Sequence, residues 1–258
     1  MRRIHPTLRL LAAAVILQAP AVVLAGGGGG PSNPGWSGGH TCDNGKKCQG
    51  KGHEDHGNGH GYGHNHDGDG DGDDGHDHEP TPFAISRPGD DRGAFITQIG
   101  DENSATIRQS ANTQFAFIAQ GGDRNGAEVT QGGSGDHYAL VGQFGDDNSV
   151  DLGQFGQAPQ VALLKQWGDG NRMVIDQQGG SESSGVLAVQ LGHGNEMSLT
   201  QSGDNNQALL VQKGTGNEMN ASQTGGDNQL VWTQDGNNLA HATVNQTGGQ
   251  AMQITQSN

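Results

Sequence analysis

Aromatic side chains make up only 4% of this 258-residue chain, and hydrophobic residues only 30%. That is too little bulk for an ordinary enzyme core, so order must come from repetition around a thin interior. Basic residues are also few: 13 Lys and Arg stand against 28 Asp and Glu, for a formal charge of -15. This argues against nucleic acid as a partner, because phosphate contacts need clustered cations. Cysteines number two, Cys42 and Cys48. One bridge cannot organise the chain; a short-range disulfide formed after export and a zinc pair both stand open. Beyond residue 25 no apolar run approaches the roughly 20 residues that span a bilayer.

The first 25 residues do contain such a run, in short form. Arg2, Arg3 and Arg9 give a basic start, Leu10 to Leu17 an apolar centre, and Val23-Leu24-Ala25 a small-residue exit before a run of glycines. That order is the mark of a signal peptide cleaved after Ala25. The expected destination is outside the cell or on its surface.

Residues 26–92 are Gly, His, Asp and Pro with few apolar positions, a composition expected to form a disordered arm. Within it His53, His56, His60, His64, His66, His76 and His78 interleave with Asp67, Asp69 and Asp71. Clustered imidazoles suit zinc, copper or nickel, and clustered carboxylates suit calcium. A divalent metal on this arm and a plain solvated spacer are equal readings; no other cofactor is expected. Asp67-x-Asp69-x-Asp71-Gly72 begins like an EF-hand loop, but His78 stands at the twelfth position and no helix-forming sequence flanks it.

From residue 93 to 258 the composition turns to Gln, Asn, Gly, Ala and β-branched residues, and a repeat emerges. Glutamines fall at Gln98, Gln109, Gln120, Gln131, Gln143, Gln154, Gln166, Gln177, Gln190, Gln201, Gln212, Gln223, Gln234, Gln246 and Gln256. The pattern Q-x-G-x-x-N-x5-Q is intact eight times, supplying Asn103, Asn125, Asn148, Asn171, Asn195, Asn206, Asn217 and Asn228. Two and four residues before every one of these glutamines the position is apolar, as at Ile107 and Ala105 before Gln109. Alternate positions hold Arg108, Glu128, Asp151 and Lys165, so each unit reads as a strand with one dry face, followed by a turn of residues that tolerate positive φ. The fold expected is all-β, a two-stranded parallel β-solenoid of about seven turns, with Gln and Asn stacked at rung spacing.

Those tandem units, following a signal peptide, resemble the curlin repeats of curli fibre subunits, the bacterial functional amyloids. The resemblance covers residues 93–258 and implies a self-assembling subunit of an extracellular fibre, used in adhesion and biofilm matrix. It further implies three partners: other copies of the chain, a nucleator or major subunit of the same family, and an outer-membrane secretion pore. The glutamines and asparagines named above carry over as the fibre ladder. The long His/Asp arm is not part of the family pattern.

Sorting outward positions by sheet separates two faces. Three residues before alternate glutamines lie Phe95, Phe117, Leu140, Leu163, Leu187, Leu209 and Val231, an apolar column. The equivalent column of the other sheet is mostly polar, with Thr106, Glu128, Asp151, Val174, Ser198, Asn220 and Thr243. An exposed apolar column points to a lateral interface, or to a cover supplied by the arm. Asp101, Asp123, Asp146, Asp147, Asp169, Asp204 and Asp227 lie in turns, where they act as brakes on premature stacking or simply as turn residues.

Three rival functions remain. Glu128, Asp151 and Asp176 fall on neighbouring rungs and could serve acid and base chemistry, but a coil this thin has no cleft, so no enzyme is expected. A soluble, capped solenoid binding metal or carbohydrate shares the fold and differs only at its ends. A minor nucleator shares even those.

Overall fold

The computed structural model describes residues 83–239 and 242–258. Among the described residues fifteen strands follow one another: β1 (Gly93–Ile99), β2 (Ser104–Gln109), β3 (Phe115–Gly121), β4 (Gly126–Gly132), β5 (Tyr138–Phe144), β6 (Ser149–Gly156), β7 (Gln160–Trp167), β8 (Arg172–Gly179), β9 (Ser184–His193), β10 (Glu196–Ser202), β11 (Gln207–Thr215), β12 (Glu218–Thr224), β13 (Gln229–Asn237), β14 (Ala242–Thr247) and β15 (Ala251–Ser257). Odd-numbered strands form one eight-stranded sheet in chain order, and even-numbered strands a seven-stranded one. All neighbours are parallel, and the chain crosses from one sheet to the other after each strand. Two strands make one turn, so the molecule is a β-solenoid of about seven turns, roughly 35 Å long at the usual strand spacing.

Register follows the repeat. Gln98 pairs with Gln120, Gln120 with Gln143 and Gln109 with Gln131, so each side chain sits over its equivalent one turn away. A slip of a single residue would turn the apolar set outward, which is why the alternation pins this register. The dry positions close into one cluster running from Ala116 and Ile118 to Leu230, Trp232 and Val244. Alanines fill much of it, and the widest member, Trp232, is fully buried in the company of Ala208 and Ala221.

Two positive-φ positions close the turns that lead from the odd to the even sheet. Gly122 has φ of 114°, and a Cβ there would run into the carbonyl of Gly145 on the next rung. Only glycine permits so close a backbone approach. Two residues later the chain enters the left-handed region at Glu102, Arg124 and Asp147, and at the equivalent Gly170. The turn carboxylates add a local support: Asp123 accepts from the Asp101 N–H (2.8 Å), Asp146 from Asp123 (2.8 Å) and Asp169 from Asp146 (2.9 Å). Asp204 accepts three backbone N–H groups, from Gly180, Ser181 and Glu182. These four side chains therefore do a turn residue's work, holding each rung to the one before it.

Residues 83–92, assigned to the arm by composition, have no regular structure. Phe83 and Ile85 are nevertheless buried, in a cluster with Phe115, Tyr138, Val161 and Leu163 on the outer face of the odd sheet. The Ile85 N–H donates to Gln207 Oε1 (2.9 Å), and Gly185 lies so close to Ile85 that a Cβ would meet it.

Candidate functional site

Each sheet carries an unbroken glutamine ladder along the inside of its edge. In the odd sheet, Gln98 Nε2 donates to Gln120 Oε1 (2.7 Å), and the chain of bonds continues through Gln143, Gln166, Gln190, Gln212 and Gln234 to Gln256, every link 2.7–2.9 Å. In the even sheet the same bond runs from Gln109 through Gln131, Gln154, Gln177, Gln201 and Gln223 to Gln246, also at 2.7–2.9 Å. All thirteen amides point the same way, donating toward the C-terminal rung. The second hydrogen of each interior amide crosses to a backbone carbonyl of the opposite sheet, as Gln166 does to Ser149 (3.0 Å). The buried glutamines of the two ladders are thus satisfied at every atom, the condition under which a buried amide is tolerated.

Asparagines line one turn edge in a second ladder of opposite polarity. Asn125 donates from Nδ2 to Asn103 Oδ1 (3.1 Å), Asn148 to Asn125 (3.0 Å), Asn171 to Asn148 (3.0 Å) and Asn195 to Asn171 (3.1 Å), each toward the N-terminal rung. Asn217 joins through its backbone N–H, which donates to Asn195 Oδ1 (3.1 Å). Asn206 and Asn228 belong to the other edge, where they bond to each other (2.8 Å).

That other edge holds residues the motif does not name. The strand register aligns Gln114, His137, Gln160 and Ser184 with Asn206 and Asn228, all of them buried. Its turns vary in length, so the asparagine position drifts in sequence while staying fixed in space. The edge is also less well satisfied: His137 Nδ1 and Gln160 Oε1 are buried without a partner. Burial pushes the His137 imidazole below its ordinary pKa, opposed by the Gly132 and Gly156 carbonyls and by the charge of Asp136. Its Nε2 lies 2.9 Å from the Gly132 carbonyl.

The apolar outer column is assembled on the odd sheet, Phe95 to Phe117, Leu140, Leu163, Leu187, Leu209 and Val231 in consecutive register. Phe83 and Ile85 pack on its middle, where Leu163 is buried, while Phe95 at the end stays 51% exposed. The chain itself therefore covers part of the surface from which a lateral interface was read. On the even sheet Glu128 and Asp151 are register partners, but Asp176 pairs with Gly153 in the next outward column, and Glu128 is ion-paired with Arg108. The three carboxylates do not converge.

Among the described residues the two end rungs are the least covered. Ile96, a core position by pattern, is 45% exposed on the first rung, and Met252 and Ile254 on the last are only partly buried. Cys42, Cys48 and the metal candidates His53, His56, His60, His64, His66, His76, His78, Asp67, Asp69 and Asp71 lie outside the described residues. Among the described residues no group of His, Cys, Asp and Glu is placed to hold a metal ion.

A family model, the curlin associated repeat, matches residues 100–133, 122–156 and 192–225. The chain carries curlin associated repeats. Comparison with the curated proteins and with the solved structures found no match. Curlin units left unmatched between residues 157 and 191 keep their ladder positions, since Gln166, Gln177 and Gln190 bond in sequence with the rest. The curlin repeats and the stacked Gln/Asn solenoid fit a curli-type subunit.

Proposed function

We propose that this protein is the structural subunit of a curli-like extracellular amyloid fibre, exported through an outer-membrane pore and serving adhesion and biofilm matrix. The observation that carries this reading is the pair of glutamine ladders, which run through every described rung of both sheets. An open rung presents unpaired backbone groups to the next molecule, which is how stacked strands propagate. The eight intact motifs favour the polymerising subunit over a nucleator. A structural role, not a catalytic one, fits a thin coil whose outward carboxylates are scattered.

Fibre diffraction and thioflavin kinetics on the mature chain, freshly released from denaturant, test this. A lag followed by seedable fibres with a meridional spacing near ~4.7 Å is the expected result. A β-rich chain that stays monomeric at every concentration and seed dose overturns it in favour of a capped surface solenoid.

A further inference from the structure

Gly185 lies in an outward column of the odd sheet whose neighbouring rungs all carry side chains. Phe115, Tyr138 and Val161 precede it in register and Gln207 follows it. The backbone does not call for glycine there, because Gly185 sits in regular strand outside the left-handed region, and a glycine within a strand weakens it. Ile85 fills the space. A Cβ on Gly185 would come within 2.7 Å of the Ile85 Cβ and 2.9 Å of the Ile85 carbonyl oxygen. The missing side chain is therefore a seat for the segment 83–87.

That segment lies on the sheet as a strap. It crosses the odd strands without pairing with any of them: Ile85 sits at β9 and β11, and Arg87 lies over the Tyr138 ring of β5, 5.4 Å from its centroid. Among the described residues one hydrogen bond ties it to the sheet, from the Ile85 N–H to Gln207 Oε1 (2.9 Å). The remaining hold is the burial of Phe83 and Ile85 against Phe115, Tyr138, Val161 and Leu163. A contact without a ladder belongs to the parts of a protein that open at least cost.

The face beneath the strap suits a second copy of the same chain. Along the described strands its three outward columns carry no Asp or Glu and one charged side chain, Lys165, in a chain of formal charge -15. The same columns of the even sheet hold Glu128, Asp151, Asp176, Glu196 and Glu218. Two copies of an acidic chain can thus bring their odd faces together without setting carboxylate against carboxylate. Sheets with dry, in-register columns stack about 10 Å apart, a gap that the strap would occupy.

We propose that residues 83–87 compete with a second copy of the chain for the outer face of the odd sheet, with Gly185 as the seat that keeps them in place. A face that is uncovered only part of the time binds with its affinity reduced by that fraction, so the strap sets the concentration at which two odd faces pair. This side-by-side pairing needs only the folded solenoid and is distinct from growth along the fibre axis.

Gly185→Val tests the proposal without altering the strap or the glutamine ladders, since it gives β9 the residue that β7 carries at Val161. The added side chain evicts Ile85, whereas Gln207 Oε1, also close, ends a flexible side chain and can turn away. Limited proteolysis at Arg87 reads strap release, and sedimentation of the freshly refolded mature chain over a concentration series reads pairing. Faster cleavage is expected, together with half-association at about a tenth of the wild-type concentration or less. Adding Leu140→Glu/Leu209→Glu, which puts carboxylates into the outer column, should restore the monomer while the strap stays free. Phe83→Ser/Ile85→Ser changes the strap alone and should reproduce both effects, which keeps the test decisive if valine disturbs the sheet. A freed strap with unchanged association overturns the proposal, as does association that the two glutamates leave intact. Wild-type cleavage in Gly185→Val removes Gly185 as the seat and overturns it equally. Failure of fibres to grow counts against the fibre reading alone, because pairing is read on the soluble chain.

Discussion

Gln166 donates from Nε2 to Gln190 Oε1 at 2.8 Å while its own Oε1 accepts from Gln143 at 2.9 Å, and its second hydrogen reaches the Ser149 carbonyl across the interior. The residue is fully buried, so no water can replace any of the three bonds. Gln166→Ala leaves a donor on Gln143 and an acceptor on Gln190 unpaired, each costing about 1–3 kcal/mol. A loss of about 2–5 kcal/mol in the urea unfolding of the refolded chain is expected, with a longer lag before fibres. A change near zero would mean that the ladder bonds are only geometric company.

The turn glycines divide into two kinds. At Gly122 a side chain would strike the backbone of the next rung, so Gly122→Ala must push adjacent turns apart. At Gly170 the nearest atom to an added Cβ is 4.0 Å away, and equivalent turns hold Glu102, Arg124 and Asp147 at the same positive φ. Gly122→Ala is expected to cost upward of about 3 kcal/mol, and Gly170→Asn less than about 1 kcal/mol. Thermal melts of the two variants side by side check the contrast; equal melts would show that the backbone approach is not limiting.

The repeat domain was legible in the sequence because its period is written twice, once in the glutamines and once in the dry positions before them. Gln120 and Ile118 show this: one names the rung and the other its inner face. The edge built from Gln114, His137, Gln160 and Ser184 was not legible. Its turns change length, so spacing no longer marks a column that only the strand register reveals. Phe83 and Ile85 escaped for a different reason. Two apolar residues in a polar stretch have no period, and their partners lie far along the chain, as Ile85 and Gln207 do.

That cover on the outer face is open to direct test. Phe83→Ser/Ile85→Ser removes two buried apolar side chains, each worth about 1.5–3 kcal/mol of burial, from a segment with no ladder of its own. The solenoid should stay folded while the segment detaches, exposing Phe115, Tyr138 and Leu163. The expected readout is a rise in apolar-dye binding and faster proteolysis at Arg87, with the circular dichroism of the strands unchanged. Unaltered dye binding and cleavage would show that the contact holds nothing in place.

Acidification should weaken the molecule in two separate windows. His137 is buried with a pKa lowered chiefly by desolvation, so the folded state resists the proton that the unfolded chain accepts at about 6.5. Its contribution is therefore complete above that value, declines as the pH falls below it, and levels off beneath the folded pKa. Asp147 and Asp204 act lower on the scale. Asp147 is held below the ordinary carboxylate range first by its hydrogen bond from Arg124, and Asp204 by the backbone N–H groups of Glu182 and Ser181, so what they contribute is lost only as those carboxylates protonate. Urea midpoints measured from about pH 8 to 5 should fall across the imidazole range. His137→Gln, which places in the column the residue already present at Gln114 and Gln160, should flatten that fall while leaving the acid limb in place. A variant with the wild-type slope would mean that the buried ring titrates no differently folded than unfolded.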